Sequence, residues 1–241
     1  MIIAQSQYSK NFFIFLVERL MIFHRLTITA LFVHLFFIAI SIPQVFAGSP
    51  LLIDDFKNGL RPEWQTKIFA GGTYYTPTIQ DNIPCIRADS RGTASGLVYR
   101  IKFNAKDYPT LKWQWKVANI ISKGDARTKE GDDYSARIYV VFPSMFFWNT
   151  KVLNYIWANH LPEGTTIRSS YNNNFAMIAV ESGSDELGKW REYEVNIYED
   201  YKKNFGMEPP TVGAVAIMTD TDNTGETASA CYGTIRFLPA E

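Results

Sequence analysis

Carboxylates are the side chains of this sequence whose spacing invites chemistry. In GDDYSARIYVVF, Asp132 and Asp133 stand in a turn ahead of an apolar strand, and in MTDTDNTGE, Asp220, Asp222, Asn223 and Glu226 directly follow the strand VGAVAIM. Three uses of such groups are open. Oxygen ligands at alternate positions suit calcium, which accepts carboxylates and carbonyls in flexible geometry. Two carboxyls, one protonated and one ionised, could serve as acid and base on a glycosidic bond. Asp and Asn also cap their own backbone in turns, and Asp220 or Asp222 could pair with Arg137 or Arg236 on neighbouring strands. As a calcium loop the segment is irregular. Asp220, Asp222, Thr224 and Gly225 imitate an EF-hand, but Cys231 falls where a bidentate Glu is needed, and the flanks read as strands. A structural calcium held by Asp220 and Asp222 is therefore one expectation, and a turn bound by ion pairs is the other.

Other chemistries lack residues. The chain of 241 residues has three histidines and two cysteines. Residues 26–42, LTITALFVHLFFIAISI, form an uncharged apolar run behind His24 and Arg25, and Val45-Phe46-Ala47 follows Pro43, the pattern of a secretory signal with a small-residue cleavage site. We expect cleavage after Ala47 and residues 48–241 as a single domain, with an uncleaved inner-membrane anchor as the alternative and Met21 as an alternative start. Cleavage removes Lys10, Arg19 and Arg25 against Glu18, so 24 basic and 24 acidic residues become 21 and 23, a net charge of −2. It also leaves His160 as the single histidine, which excludes multi-histidine zinc sites and the HExxH pattern. There is no G-x-S-x-G elbow, and Cys85 and Cys231 are too far apart for a CxxC motif. They are either one long-range disulfide of an exported chain or two buried residues in separate strands. The basic excess that phosphate binding needs is missing, which argues against nucleic acid. These exclusions turn the reading from enzyme toward binding module.

Positioning any site falls to strands. Short alternating segments between Gly, Pro, Asn and Asp turns predict strands at 51–56, 64–69, 74–80, 84–89, 94–103, 110–118, 135–142, 175–182, 190–197, 212–219 and 229–237, with one short helix over 198–206 closed by Gly206. LKWQWKV sets Leu111, Trp113, Trp115 and Val117 against Lys112, Gln114 and Lys116, and ASGLVYRIKF sets Leu97, Tyr99, Ile101 and Phe103 against Val98, Arg100 and Lys102. Residues 143–161, PSMFFWNTKVLNYIWANHL, depart from this regime and read as an amphipathic helix or two short strands, either packing their aromatics beneath the sandwich or exposing them as a platform.

Taken together, SGLVYRIKF, LKWQWKV, GDDYSARIYVVF, YIWANHLPEGT, DYKKNFG and AIMTDTDNTGETASACYGTIRF resemble a bacterial family named only as domain of unknown function 3047. The resemblance implies an exported single-domain protein of Gram-negative bacteria and supplies no activity. LLIDDFKNGLRPEW is similar to the opening of galactose-binding-like jelly-roll modules. The expected fold is all-β: a two-sheet antiparallel β-sandwich of jelly-roll type with one or two short helices, and Trp64, Trp113 and Trp115 in or near the core.

The expected function is a periplasmic module binding carbohydrate or envelope glycan. Its candidate ligand-binding residues are Arg100, Lys112, Gln114, Arg137 and Tyr139 on polar strand faces, with Asp132, Asp133, Asp220, Asp222 and Asn223 at strand ends. No cofactor beyond the calcium is expected. The alternatives are a carboxylate-dependent glycan-active enzyme and a structural envelope protein with a protein partner.

Overall fold

The computed structural model describes residues 48–240, so the leader expected over residues 1–47 lies outside the described residues. Among those described, no helix is long and apolar enough to cross a membrane.

Alternation decides the elements. The strands are β1 (Leu51–Asp54), β2 (Trp64–Ala70), β3 (Tyr74–Gln80), β4 (Ile83–Arg91), β5 (Ala94–Phe103), β6 (Thr110–Val117), β7 (Tyr134–Phe142), β8 (Lys151–Ala158), β9 (Thr166–Arg168), β10 (Phe175–Ser182), β11 (Arg191–Asn196), β12 (Val212–Asp220) and β13 (Thr227–Leu238), with one helix, α1 (Ile197–Phe205). They form the expected two-sheet sandwich. One sheet runs β11-β6-β13-β4-β3, with β1 on β13 beyond the end of β4, and the other runs β2-β5-β12-β7-β8-β10-β9. The inner rows bury Trp113, Trp115, Tyr155, Trp157 and Tyr232 between the sheets, and Trp64 is buried at the edge of the same core. Helix α1 starts where the Asn196 side chain accepts the Glu199 N–H and stops at Gly206, whose φ of 68° is left-handed.

The sequence reading needs two corrections here. The sandwich is not antiparallel throughout, because β8 and β10 pair in parallel. Parallel neighbours need a crossover of about a dozen residues, and residues 159–174, which include β9, provide it. Residues 143–161 are neither a helix nor two strands but one 3-10 turn (Phe147–Asn149) followed by β8. The aromatics divide accordingly: Tyr155 and Trp157 are buried, while Phe146 and Trp148 are exposed and stack on each other.

Asp54 explains the opening LLIDDF…W. Its buried carboxylate accepts the Trp64 indole N–H at 2.8 Å and the Phe56 and Arg61 backbone N–H groups, which ties the end of β1 to the start of β2. Cys85 and Cys231 are free and buried on the neighbouring strands β4 and β13. His160 lies at the surface against the Ser122 carbonyl.

Candidate functional site

Small side chains on the solvent side of the seven-stranded sheet create a cleft. The outward row of β5 carries Ala94, Gly96 and Val98, and that of β12 carries Ala216 and Met218. Short side chains at the middle of a pleated surface leave a trough between taller neighbours. A Cβ at Gly96 would come within 3.1 Å of the Ile217 carbonyl oxygen, so close strand packing also favours glycine there. The cleft has a volume of about 460 Å³, the size of a small-ligand site.

Its walls come from opposite ends of the sheet. Lys67 and Phe69 of β2 form one. The other is the hairpin between β9 and β10, with Ser169, Tyr171, Asn172 and Phe175. That hairpin is held over the face of the sheet. The Tyr171 hydroxyl donates to the Lys129 carbonyl at 3.0 Å and accepts from the Asn223 side chain at 2.9 Å, and the Lys129 ammonium lies over its ring.

The polar end depends on a β-bulge. In the pairing of β12 with β7, Met218 faces Arg137 but Asp220 faces Tyr134, one residue out of step. Residues three apart on a regular strand point to opposite faces. The bulge brings Tyr134 and Arg137 to the same side, with the guanidinium 4.8 Å from the Tyr134 ring and 5.4 Å from the Tyr139 ring. Arg137 is buried and bonds the Asp220 carboxylate, which is buried too. Beneath them the Tyr232 hydroxyl donates to the Met218 carbonyl at 2.6 Å and joins Thr219, whose own hydroxyl bonds the Ser135 carbonyl, locking the two strands from the core side.

Three further carboxyls surround this pair. Asp132 accepts the Tyr134 hydroxyl at 2.9 Å. Asp133 is fully buried and accepts the backbone N–H groups of Asn223 and Thr224, which fixes the loop bearing Asp222. Oxygens of Asp133, Asp220 and Asp222 lie within 4.8 Å of one another. Burial pushes Asp132 up to about 6, against the pull of Arg137 and the Tyr134 hydrogen bond, while the charges of Asp133 and Asp222 add to the rise. Burial likewise holds Asp220 well above the usual carboxylate range despite Arg137, and raises Asp222 with help from the Asp133 charge.

Of the residues singled out from the sequence, Asp132, Arg137, Tyr139, Asp220, Asp222 and Asn223 line the cleft, with Asp133 directly behind. Arg137, and not Arg236, is the partner of Asp220. Lys112 and Gln114 do not join them. Both lie on β6 in the other sheet, where Lys112 pairs with Glu192 and Glu194 and Gln114 covers Gly233. Arg100 stands on β5 opposite Ala214, farther along the strand than the cleft residues. Sequence reasoning missed Lys67, Phe69, Asn154, Tyr171, Asn172 and Phe175. The outward alternation of β2 could have flagged the first two, but no local signal shows that the β9–β10 hairpin turns back over the sheet.

The fold and this site define a two-sheet β-sandwich with an open cleft on the outer face of its larger sheet. The chain belongs to the family described as Protein of unknown function (DUF3047), whose profile matches residues 62–236. No curated protein matches it. Among solved structures it is similar to the carbohydrate recognition domain of Emp47p, at 13% identity and a TM-score of 0.45 over 79% of this chain and 95% of that one. It is also similar to a family 11 carbohydrate-binding module from Clostridium thermocellum in complex with a mixed-linked tetrasaccharide, at 12% identity and a TM-score of 0.38 over 79% and 96%. A third is the CBM22-1 xylan-binding domain of Paenibacillus barcinonensis Xyn10C, at 12% identity and a TM-score of 0.40 over 81% and 98%.

Proposed function

We propose that this protein is an exported, periplasmic glycan-binding module and that the sugar lies in the cleft on the outer face of the seven-stranded sheet. One observation carries the reading: the cleft combines aromatic walls with a ring of planar polar groups. Saccharides present two surfaces, apolar C–H faces that settle on aromatic rings and hydroxyls that need paired donors and acceptors. Tyr139, Tyr171, Phe69 and Phe175 offer the first partner, and Asp132, Asp222, Asn172 and Asn223 the second. Export rests on the apolar run and the Val-Phe-Ala ending ahead of Gly48. The test is a panel of envelope polysaccharides and peptidoglycan fragments titrated against the folded chain. Binding that weakens about tenfold or more in Tyr171→Ala, with the melting temperature kept, supports the reading. A folded chain that binds nothing in the panel overturns it.

A second reading is favoured by one feature, the rise of Asp132 to about 6 inside the same cleft. A carboxyl still protonated near neutrality is what a general acid on a glycosidic oxygen requires, and Asp222 would supply the companion carboxylate. Release of reducing ends from a bound glycan, lost in Asp132→Asn with binding retained, would favour the enzyme over the module.

A further inference from the structure

The polar end of the cleft carries more negative charge than a neutral sugar can answer. Asp132, Asp220 and Asp222 line it and Asp133 stands behind, while the guanidinium among them, Arg137, is committed to Asp220. Lys67 also lines the cleft, but from β2, which β5 separates from the strand of Asp220.

A second observation does not involve the carboxylates' charge. Asn154 on β8 lines the same cleft and is 1% exposed, yet its Oδ1 has no hydrogen-bond partner among the described residues, while its Nδ2 reaches the Met177 sulfur at 3.2 Å. The Oδ1 of Asp220 is unpartnered as well. A buried acceptor left without a donor costs about 1–3 kcal/mol, so such groups are normally answered by water or a ligand. The cleft thus holds unpartnered acceptors on Asn154 and Asp220 beside one unpartnered donor, the Arg137 Nε, and at its polar end the carboxylates outnumber the guanidinium among them. An ammonium group complements the acceptors and the surplus charge, since it has three N–H donors, no acceptor and a positive charge.

We infer that the saccharide held in this cleft is an amino sugar with its amine free and protonated, seated with the ammonium toward Asp132 and Asp222, while the Asn154 carbonyl, level with Tyr139 at the middle of the floor, accepts from a hydroxyl of the same glycan. This rests on the glycan-binding reading and narrows it to one substrate class. The group bound is the amine itself, so an acetylated amine, which is neutral and brings a carbonyl acceptor, fits poorly.

Three β-1,4-linked tetrasaccharides that differ only at C2 test this on the folded chain by calorimetry: those of glucosamine, N-acetylglucosamine and glucose. The glucosamine oligomer is expected to bind at least about tenfold more tightly than the other two. Its advantage should shrink between about 50 and about 500 mM salt, as charge screening requires, and vanish in Asp222→Asn. Asp222 is suited to substitution because it is only half-buried and stands outside the Arg137–Asp220 pair. Equal or tighter binding of the acetylated or neutral oligomer overturns the inference and leaves the glycan-binding reading standing. So does binding to none of the three when another polysaccharide of the panel binds. If no glycan binds at all, the broader reading falls and the inference with it.

Discussion

Arg137 shows how one side chain can organise a site and hold it together. Its guanidinium lies between the Tyr134 and Tyr139 rings and bonds a carboxylate that is as buried as itself. A buried ion pair adds little net stability when whole, but removing one partner strands the other, which typically costs about 3–5 kcal/mol. Arg137→Gln is therefore expected to lower unfolding stability by about 3 kcal/mol in urea, and Asp220→Asn by a comparable amount; an unchanged midpoint would show that the pair is not buried in solution. Asp132 makes a prediction about pH. Its folded value of about 6 lies above the ordinary aspartate value of 3.8, so the folded state holds the proton more tightly. The stabilisation is present below the unfolded value and is lost as pH rises from about 4 to about 6. Asp132→Asn should abolish this loss, leaving the variant about 2–3 kcal/mol more stable than the parent above pH 6, relative to their difference at pH 4, at about 1.4 kcal/mol per pKa unit. The carboxylate positions were readable from the sequence because acidic turns beside apolar strands stand out. Asn154 was not, since a single amide within KVLNYIWA says nothing until the face it points to is known.

Strand alternation is a local property, and most elements follow from it. β3, β5 and β10 have the predicted limits, and the remaining predicted strands differ by a few residues at their ends. What escaped is non-local. β8 was obscured because both its faces are covered, so its run of buried residues from Val152 to Ala158 has no polar alternation to read. The parallel β8–β10 pairing and the hairpin that folds back over the sheet depend on tertiary contacts such as the Tyr171–Asn223 hydrogen bond. The bulge beneath Arg137 is equally hidden, because an out-of-step pairing has no signature in either strand alone. The β1–β2 connection is the opposite case, where the motif Asp-Phe followed by Trp has a direct physical cause. Asp54→Ala removes the acceptor for the Trp64 indole and two backbone N–H groups at once. The expected cost is about 3 kcal/mol, measurable by thermal or urea unfolding, since hydrogen bonds to a charged group contribute about 1.5–3 kcal/mol each and buried donors would be left unpaired.

At the scale of the whole molecule, the two faces of the seven-stranded sheet have different tasks. The inner face is closed by the other sheet and packed with tryptophan and tyrosine, so changes there act on folding. The outer face carries the floor of small residues, where added volume projects into the cleft and away from the core. This separation allows the location of the ligand to be tested without disturbing the fold. Ala216 lies at the centre of the floor, paired with Val98 on one side and Tyr139 on the other, and it lines the cleft. Ala216 is itself buried beside Val98, Tyr139 and Met218, so Ala216→Leu must displace these neighbours to reach the cleft and is expected to cost about 1–3 kcal/mol while the chain stays folded. Leucine is at least as comfortable as alanine in a strand. Glycan binding should fall about tenfold or more because the floor on which a sugar ring would rest is raised. The two measurements must be read together. Lost binding in a variant that still unfolds cooperatively places the ligand on the sheet face. Binding unaffected by the leucine would move it to loops at the strand ends, where the carboxylates of Asp132 and Asp222 could act without the floor between them.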